Sequence, residues 1–381
     1  MSVAPERPGM TDDLRVIVSG GSMGGLFAAL ALREAGCAVD VFERASGELE
    51  SRGAGIVAQP RMMKYLKERG VADPDELTLT ADRREYLERD GSLRRERADS
   101  MAFTAWDALY RRLRGAVADE RYHAGRRVVG FERDGEGVTV RLEDGERRAD
   151  LLVVAEGGRS STREKLLPDV APEHAGYVAW RGLVDESDVP ADLLERFEGT
   201  FPFYEGEDGL MLGYLIPGPD GKTHEGARRL NWVWYDDVDG GRLGELLTDV
   251  RGVEHEFSVP PGALQDEVER GLRTAADERL PELFSESVRA TDDPFVQTIY
   301  DLSVPRMAFD RVCLLGDAAF VARPHTAAGT EKAAADAIGL GDALAEGGDL
   351  ADALADWETD RLKAGRELVA QGARMGDGYM N

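Results

Sequence analysis

Two rhythms of apolar residues divide the chain. Residues 14–18 (LRVIV) are a short apolar run, 20–25 a glycine-rich turn and 26–35 a helical pattern; 38–42 is a second buried strand ending at Glu43. Strand, glycine turn, helix and strand within about thirty residues make a βαβ unit and so predict a parallel sheet. Helical periodicity returns at 60–69, with Met62, Met63 and Leu66 on one side. It returns again at 106–117, where Leu109, Leu113 and Val117 follow at i, i+4 and i+8. Residues 128–143 alternate across turns at 134–137 and 144–145, as a β-meander would, and 151–155 is another continuous apolar strand.

The rhythm changes in the middle of the chain. From 177 to 236 aromatic, strand-like runs (177–182, 200–204, 210–216, 229–235) are separated by Gly, Pro and Asp turns, which predicts a mainly antiparallel sheet. Residues 261–290 are helical and charged, 295–302 a strand and 312–315 a last buried strand. A turn, a helix at 331–344 and an amphipathic helix around 350–370 follow. The α/β segments lie at both ends, with the antiparallel part inserted between them. The fold expected is therefore α/β: a Rossmann-like, three-layer nucleotide-binding domain around a parallel sheet, from residues 12–75, 101–175 and 303–381. An inserted, mainly antiparallel β-sheet substrate domain is expected from 76–100 and 176–302.

Composition narrows the function. With 42% hydrophobic residues in 381, the chain can bury two cores. No apolar run approaches the roughly 20 residues of a membrane span. Residues 1–13 carry no apolar signal core, so a cytoplasmic protein is expected. Cys37 and Cys313 sit in apolar patterns without a CxxC or Cys/His cluster, which predicts buried thiols and no metal site. The net charge of −26, with lysine nearly absent, argues against a nucleic-acid partner. It suits either a salt-adapted source or merely a GC-rich genome, and both stay open.

The first chemical signal is Gly20-Gly21-Ser22-Met23-Gly24-Gly25, between strand and helix, with Glu43 about twenty residues on. Glycine there lets backbone N–H groups and the helix N-terminus approach a pyrophosphate, while the acid binds a ribose hydroxyl pair. Ser22 replaces the usual middle glycine. An ordinary glycine-rich turn is the alternative. Two further stretches accompany it: 152–160 (LVVAEGGRS) with Arg163, and 312–319 (VCLLGDAA) with Arg323-Pro324-His325, Gly329 and Asp336. Together they resemble the three linked motifs of the single-component FAD-dependent aromatic hydroxylases, the p-hydroxybenzoate hydroxylase family. Residues 177–182 (YVAWRG), 231–235 (NWVWY), 294–297 (PFVQ) and 316–335 are similar to its dihydroxypyridine-hydroxylating branch. The resemblance runs from about Arg15 to about Gly372.

That resemblance implies FAD as cofactor, NADH or NADPH as a transient reductant, O2 as co-substrate and a small aromatic, hydroxylated N-heteroaromatic substrate. Its FAD contacts fall on Gly20, Ser22, Met23, Gly25, Glu43, Arg44, Val128, Glu156, Gly157, Gly316, Asp317, Pro324, Ala327, Ala328, Gly329 and Thr330. Arg52, Gly53 and Gly55 resemble the loop over the flavin edge, or form an ordinary turn. Asp317 is expected to meet a ribityl hydroxyl. The helix from Glu331 is expected to point its positive end at the flavin ring, favouring the charge that reduction places there. Two departures stand out: Glu156 replaces an Asp, and Trp106 replaces an arginine, which Arg111 or Arg112 is expected to supply. Tyr204, Tyr214, Trp234 and Gln297 are the candidates for the substrate pocket, with core packing as the competing role of each aromatic. His325 and Tyr214 are the catalytic candidates; His325 either polarises or deprotonates a ring hydroxyl, or anchors its loop. His174 and His224 are expected to face solvent. The rival functions are a reductase or dehydrogenase of the same superfamily and a catalytically silent FAD-binding protein. A homodimer is one assembly open to the chain.

Overall fold

The parallel sheet is assembled from strands far apart in the chain. In a computed structural model that describes residues 14–47, 49, 54–206, 209–238 and 240–380, its order is Val312–Leu314, Leu151–Val154, Arg15–Ser19, Ala38–Glu43, Tyr122–Ala124. Every neighbouring pair is parallel, with Val16 beside both Leu151 and Val39. Leu151–Val154 is buried on both faces, as its unbroken apolar run predicts. Helices Met23–Glu34 and Gly329–Ala345 pack together against this sheet; the Ala31 carbonyl oxygen is 2.8 Å from where a Cβ on Gly341 would stand. The predicted meander is a separate antiparallel sheet of Val128–Arg133, Val138–Leu142 and Gly145–Ala149, sharing the same core.

A larger sheet runs in series through Ser258–Val259, Phe295–Ser303, Glu173–Asp185, Arg229–Asp237, Gly209–Ile216, Thr200–Gly206, Leu79–Leu87, Leu93–Ala105 and Gly55–Val57. All its pairs are antiparallel except Thr200–Gly206 with Leu79–Leu87. The hairpin of residues 79–105 escapes periodicity because its tip, LRRERAD at 93–99, is polar and exposed on nearly every residue. Strand Leu93–Ala105 runs across residue 100, and Gly55–Val57 adds an edge from the N-terminal segment, so the two halves interleave.

Side chains alternate across this sheet. Val178, Trp180, Met211, Leu230, Trp232 and Trp234 form one cluster with helices Asp266–Arg279 and Glu282–Arg289. The break between those helices falls at Leu280-Pro281, where proline ends one helix and starts the next. On the opposite face Tyr177, Ala179, Phe201, Phe203, Tyr214, Val233 and Tyr235 join the core of the parallel-sheet half.

The C-terminal helix, Leu350–Met380, is longer than the pattern around 350–370 suggests. Glycines weaken the sequence signal beyond residue 370, yet here they serve close packing. A Cβ on Gly365 would stand 2.3 Å from Phe320, one on Gly372 3.0 Å from the Arg323 nitrogen, and one on Gly376 2.5 Å from the Tyr177 hydroxyl. The helix thereby reaches the face of the larger sheet. Among the described residues no helix is long and apolar enough to cross a membrane.

Candidate active site

A cleft of about 380 Å3 opens at the carboxyl edge of the parallel sheet, the usual ligand position in such folds. Its first wall is the turn after Arg15–Ser19. Gly20 has φ +107°, and a Cβ there would lie 2.2 Å from the Ala155 carbonyl oxygen, so only glycine fits. The following helix starts at Met23 with Ser22 as an N-cap whose side chain makes no capping bond, and no acid lies in its first turn. Its first-turn N–H groups therefore suit an anion brought from outside. Glu43, 6% exposed, lines the cleft and accepts from the N–H groups of Gly21 and Ala45, each at 2.8 Å.

The opposite wall is built from Leu315, Gly316, Asp317, Gly329, Thr330 and Ala333. Gly316 N–H donates to Asp336 at 3.1 Å, and Arg361 Nε holds the other oxygen of that buried carboxylate at 2.7 Å, tying the turn to two helices. The Asp317 carboxylate is half exposed, 3.4 Å from the buried Lys332 ammonium. Helix Gly329–Ala345 presents an N-terminus without side-chain capping. The loop before it makes a single turn at Pro324–Thr326 and puts Ala327 at φ +51°. That left-handed conformation costs an L-residue about 1–2 kcal/mol and is maintained by the bond from Gln59 Nε2 to the Ala327 carbonyl at 3.0 Å.

Ser22, Met23, Arg44, Val128, Glu156 and Gly157 also line the cleft. Four groups of expected contacts have further roles or positions in the fold. Gly25 serves close packing: its Cβ would stand 1.8 Å from the Gly20 carbonyl oxygen, which is how closely the helix sits on its own entry turn. Arg111 leaves the cleft to donate to the Pro219 carbonyl at 2.9 Å, and Arg112 is exposed; Arg127 and Arg159 line it instead, alongside Trp106. The Glu156 carboxylate is already occupied within the protein, accepting from Ser19 Oγ (2.6 Å), Ser160 Oγ (2.8 Å), Thr162 Oγ1 (2.8 Å) and Thr162 N–H (3.1 Å). Its extra methylene serves that network. Pro324, Ala327 and Ala328 lie in the loop leading to the cleft rather than on its wall. Arg52 and Gly53 fall outside the described residues.

Beyond that loop lies the inner face of the larger sheet. Tyr214 stacks on Phe103 with centroids 4.0 Å apart, and its hydroxyl donates to the Gly55 carbonyl at 3.0 Å. Burial pushes its pKa up to about 12. Gly55 N–H donates in turn to Asn231 Oδ1 at 2.9 Å, which ties Gly55 to the sheet. His325 lies 4.3 Å from the Tyr235 ring and 5.3 Å from Tyr379 near the end of the C-terminal helix, and its Nε2 shares a hydrogen bond with Tyr177 Oη at 2.8 Å. Gln297 accepts from Arg181 on the same face. Tyr204 and Trp234 point the other way, into the helix-covered cluster. Strand Arg229–Asp237 is buried on both faces from Arg229 to Tyr235, so no polar alternation shows in the sequence which aromatics face the cleft. Arg181, Asn231, Tyr177 and Tyr235 were missed; an arginine inside the apolar run 177–184 was the available signal.

Comparison with known proteins decides the family. The models described as FAD binding domain-like and FAD binding domain match residues 174–301 and 257–372. The chain is 38% identical over 367 residues to a 2,6-dihydroxypyridine 3-monooxygenase of Paenarthrobacter nicotinovorans, covering 95% of this chain and 90% of that protein. The chain belongs to the FAD-dependent aromatic-ring monooxygenases. The structure of 2,6-dihydroxypyridine-3-hydroxylase from Arthrobacter nicotinovorans superimposes with a TM-score of 0.91 at 36% identity, over 96% of this chain and 93% of that one. Klebsiella pneumoniae HpxO, complexed with FAD and uric acid, gives a TM-score of 0.77 at 25% identity, over 97% and 89%.

As a member of this family the monooxygenase is an oxidoreductase with FAD as cofactor and NAD(P)H as reductant. The residues fit that nucleotide: an acid at the end of the second strand, an uncapped helix N-terminus beside a side-chain-free turn, and a second uncapped N-terminus at the far wall. In this monooxygenase burial, and then the nearby Arg323 charge, push the pKa of His325 down to about 4. The unfolded chain, with its histidine near 6.5, binds the proton that the folded ring refuses between those values. Stability from this group is therefore complete above pH 6.5 and is lost as pH falls toward 4, by about 3 kcal/mol. Urea denaturation of wild type and His325→Phe at pH 7.5 and 4.5 checks this: the variant is expected to lose less stability on acidification, and equal losses would refute it.

Proposed function

We propose that this chain hydroxylates an electron-rich, hydroxylated N-heteroaromatic ring, bound on the inner face of the larger sheet between Tyr214 and His325. The observation that carries the reading is His325 itself. The loop that ends at the cleft wall delivers its ring onto the sheet face, where Nδ1 is buried without a hydrogen-bond partner. Such a group is costly unless something arrives to pair with it. The full-length similarity to a 2,6-dihydroxypyridine 3-monooxygenase supports the ring class.

Bound FAD, reduced by NAD(P)H, supplies the oxygen-activating chemistry. The chain's own residues orient and enclose. With Nε2 committed to Tyr177 and a pKa far below neutrality, His325 holds a ring hydroxyl by accepting its hydrogen bond at Nδ1, and stores no proton. Tyr214, neutral and bonded to Gly55, is a wall that pins the strand beside the flavin-edge loop. Tyr177, Tyr235 and Tyr379 surround the histidine and keep water from it.

The test is a panel of hydroxypyridines and phenols offered to the FAD-loaded protein. The reading expects ring-stimulated NAD(P)H oxidation, stoichiometric oxygen uptake and a hydroxylated product. Conversion of a ring without oxygen uptake would make the protein a reductase or dehydrogenase instead, and FAD that no nicotinamide reduces would make it a silent binder. Two buried free thiols are in keeping with a reducing cytoplasm. A salt-adapted source is supported by the charge of −26. On that reading Tm and FAD retention rise between about 0.1 and 1 M KCl, as the screening length falls from about 10 to 3 Å. Unchanged values would favour the GC-rich alternative. A homodimer, testable by light scattering, completes the proposal.

A further inference from the structure

Five of the six lysines in the chain are exposed; the sixth, Lys332, is 5% exposed. Its place is disfavoured twice over. It lies in the first turn of helix Gly329–Ala345, where the backbone dipole repels a cation, and burial strips its ammonium of water. Nζ is sealed from solvent, makes no hydrogen bond and meets one charged group among the described residues, the Asp317 carboxylate at 3.4 Å. Glu331, next to it in the chain, turns instead to helix Pro60–Glu68 and accepts from Met62 N–H at 2.9 Å. Asp317 lines the cleft, with its side chain 52% exposed there, and Lys332 stands behind it. Among the described residues no other cation lies within ion-pair distance of Asp317. The order from the cleft inward is carboxylate, then buried ammonium.

We infer that Lys332 is the built-in counter-ion of Asp317, and that the pair sets the reduction potential of the bound FAD. Asp317 is covered once FAD fills the cleft, and a covered carboxylate needs a positive partner. The cofactor cannot bring one, because its pyrophosphate is itself anionic. Hydride transfer from NAD(P)H delivers two electrons and one proton, so the occupied cleft gains one further negative charge. With Lys332 in place the wall at Asp317 is neutral toward that charge. Without it a bare carboxylate opposes the charge, all the more where water has been displaced. Lys332 has no access to the cleft of its own, so it acts through Asp317 as a positioning residue. Only FAD in the cleft is required for this, and no particular ring.

The test compares midpoint potentials of the bound flavin, read from its visible spectrum in equilibrium with a redox dye. The FAD-loaded proteins are wild type, Lys332→Met, Asp317→Asn and the double variant. Lys332→Met is expected to lose about tenfold more affinity for reduced than for oxidised FAD, which for a two-electron couple is a potential lower by about 30 mV. Asp317→Asn keeps a hydrogen-bond acceptor but removes the negative charge, and should shift the potential the opposite way. The double variant, neutral at both positions, should return to within about threefold of the wild-type ratio of affinities. A Lys332 that serves packing alone would move Tm and leave the four potentials together, and that result would overturn the pairing. A double variant as low as Lys332→Met would overturn it too, because the loss would not then run through Asp317. If Lys332→Met fails to fold, Asp317→Asn decides by itself: a raised potential supports the pair and an unchanged one sinks it. Ring hydroxylation is read separately, from the substrate panel, and stands or falls without these potentials.

Discussion

Gly20→Ala is expected to purify without yellow colour. The added methyl would stand 2.2 Å from the Ala155 carbonyl oxygen, on a residue whose φ of +107° already excludes L side chains. Neither term can relax cheaply, because Ala155 N–H is bonded to the Ser19 carbonyl at 2.8 Å and the two central strands would have to part. Backbone strain and overpacking together amount to about 3 kcal/mol or more. The movement also displaces the helix N-terminus that faces the pyrophosphate, so FAD affinity should fall at least about 100-fold. Visible absorption and thermal unfolding read both effects. Gly47→Ala, where an added Cβ meets nothing within 4 Å, serves as the control and should match wild type. A yellow Gly20→Ala protein with unchanged Tm would show that this turn has room.

Glu156→Leu comes second in expected effect. Its carboxylate takes four hydrogen bonds from Ser19, Ser160 and Thr162, and Ser160 in turn caps the helix Ser161–Leu166 through Arg163 N–H at 3.0 Å. Removing the acceptor leaves buried donors without partners, at a loss of about 3 kcal/mol or more for the connected group. Glu156→Asp is the sharper variant. Where the family resemblance places an aspartate, this chain's loop is spaced for one methylene more, so the shorter acid should reach only part of the network and lose about 1–2 kcal/mol. Urea denaturation measures both. Equal stability of Glu156→Asp and wild type would show that the network adapts.

The nucleotide half was legible because its signals are local. A glycine turn, an uncapped helix start and an acid at a strand's end sit within thirty consecutive residues, and each has a conformational reason independent of the rest of the fold. Residues whose role depends on parity were not. Trp234 and Tyr235 are adjacent, equally aromatic and equally buried, yet one packs under helices and the other beside His325. Only the strand register tells them apart. Arg111 was selected by its distance along a helix, and the helix turns its guanidinium to Pro219. Arg181 carried a visible anomaly, a charge in an apolar strand, that periodicity alone discards as noise.

The cleft draws its walls from residues near 20, 43, 128, 156, 317 and 330 of a 381-residue chain. On the ribosome, then, the βαβ unit emerges early but cannot hold the flavin until the strand Val312–Leu314 and the helix behind Gly329 have left the exit tunnel as well. Cofactor capture in this protein waits for those segments. A nascent chain stalled before residue 312 should expose the unpaired edge of Leu151–Val154 to chaperones and take up no flavin.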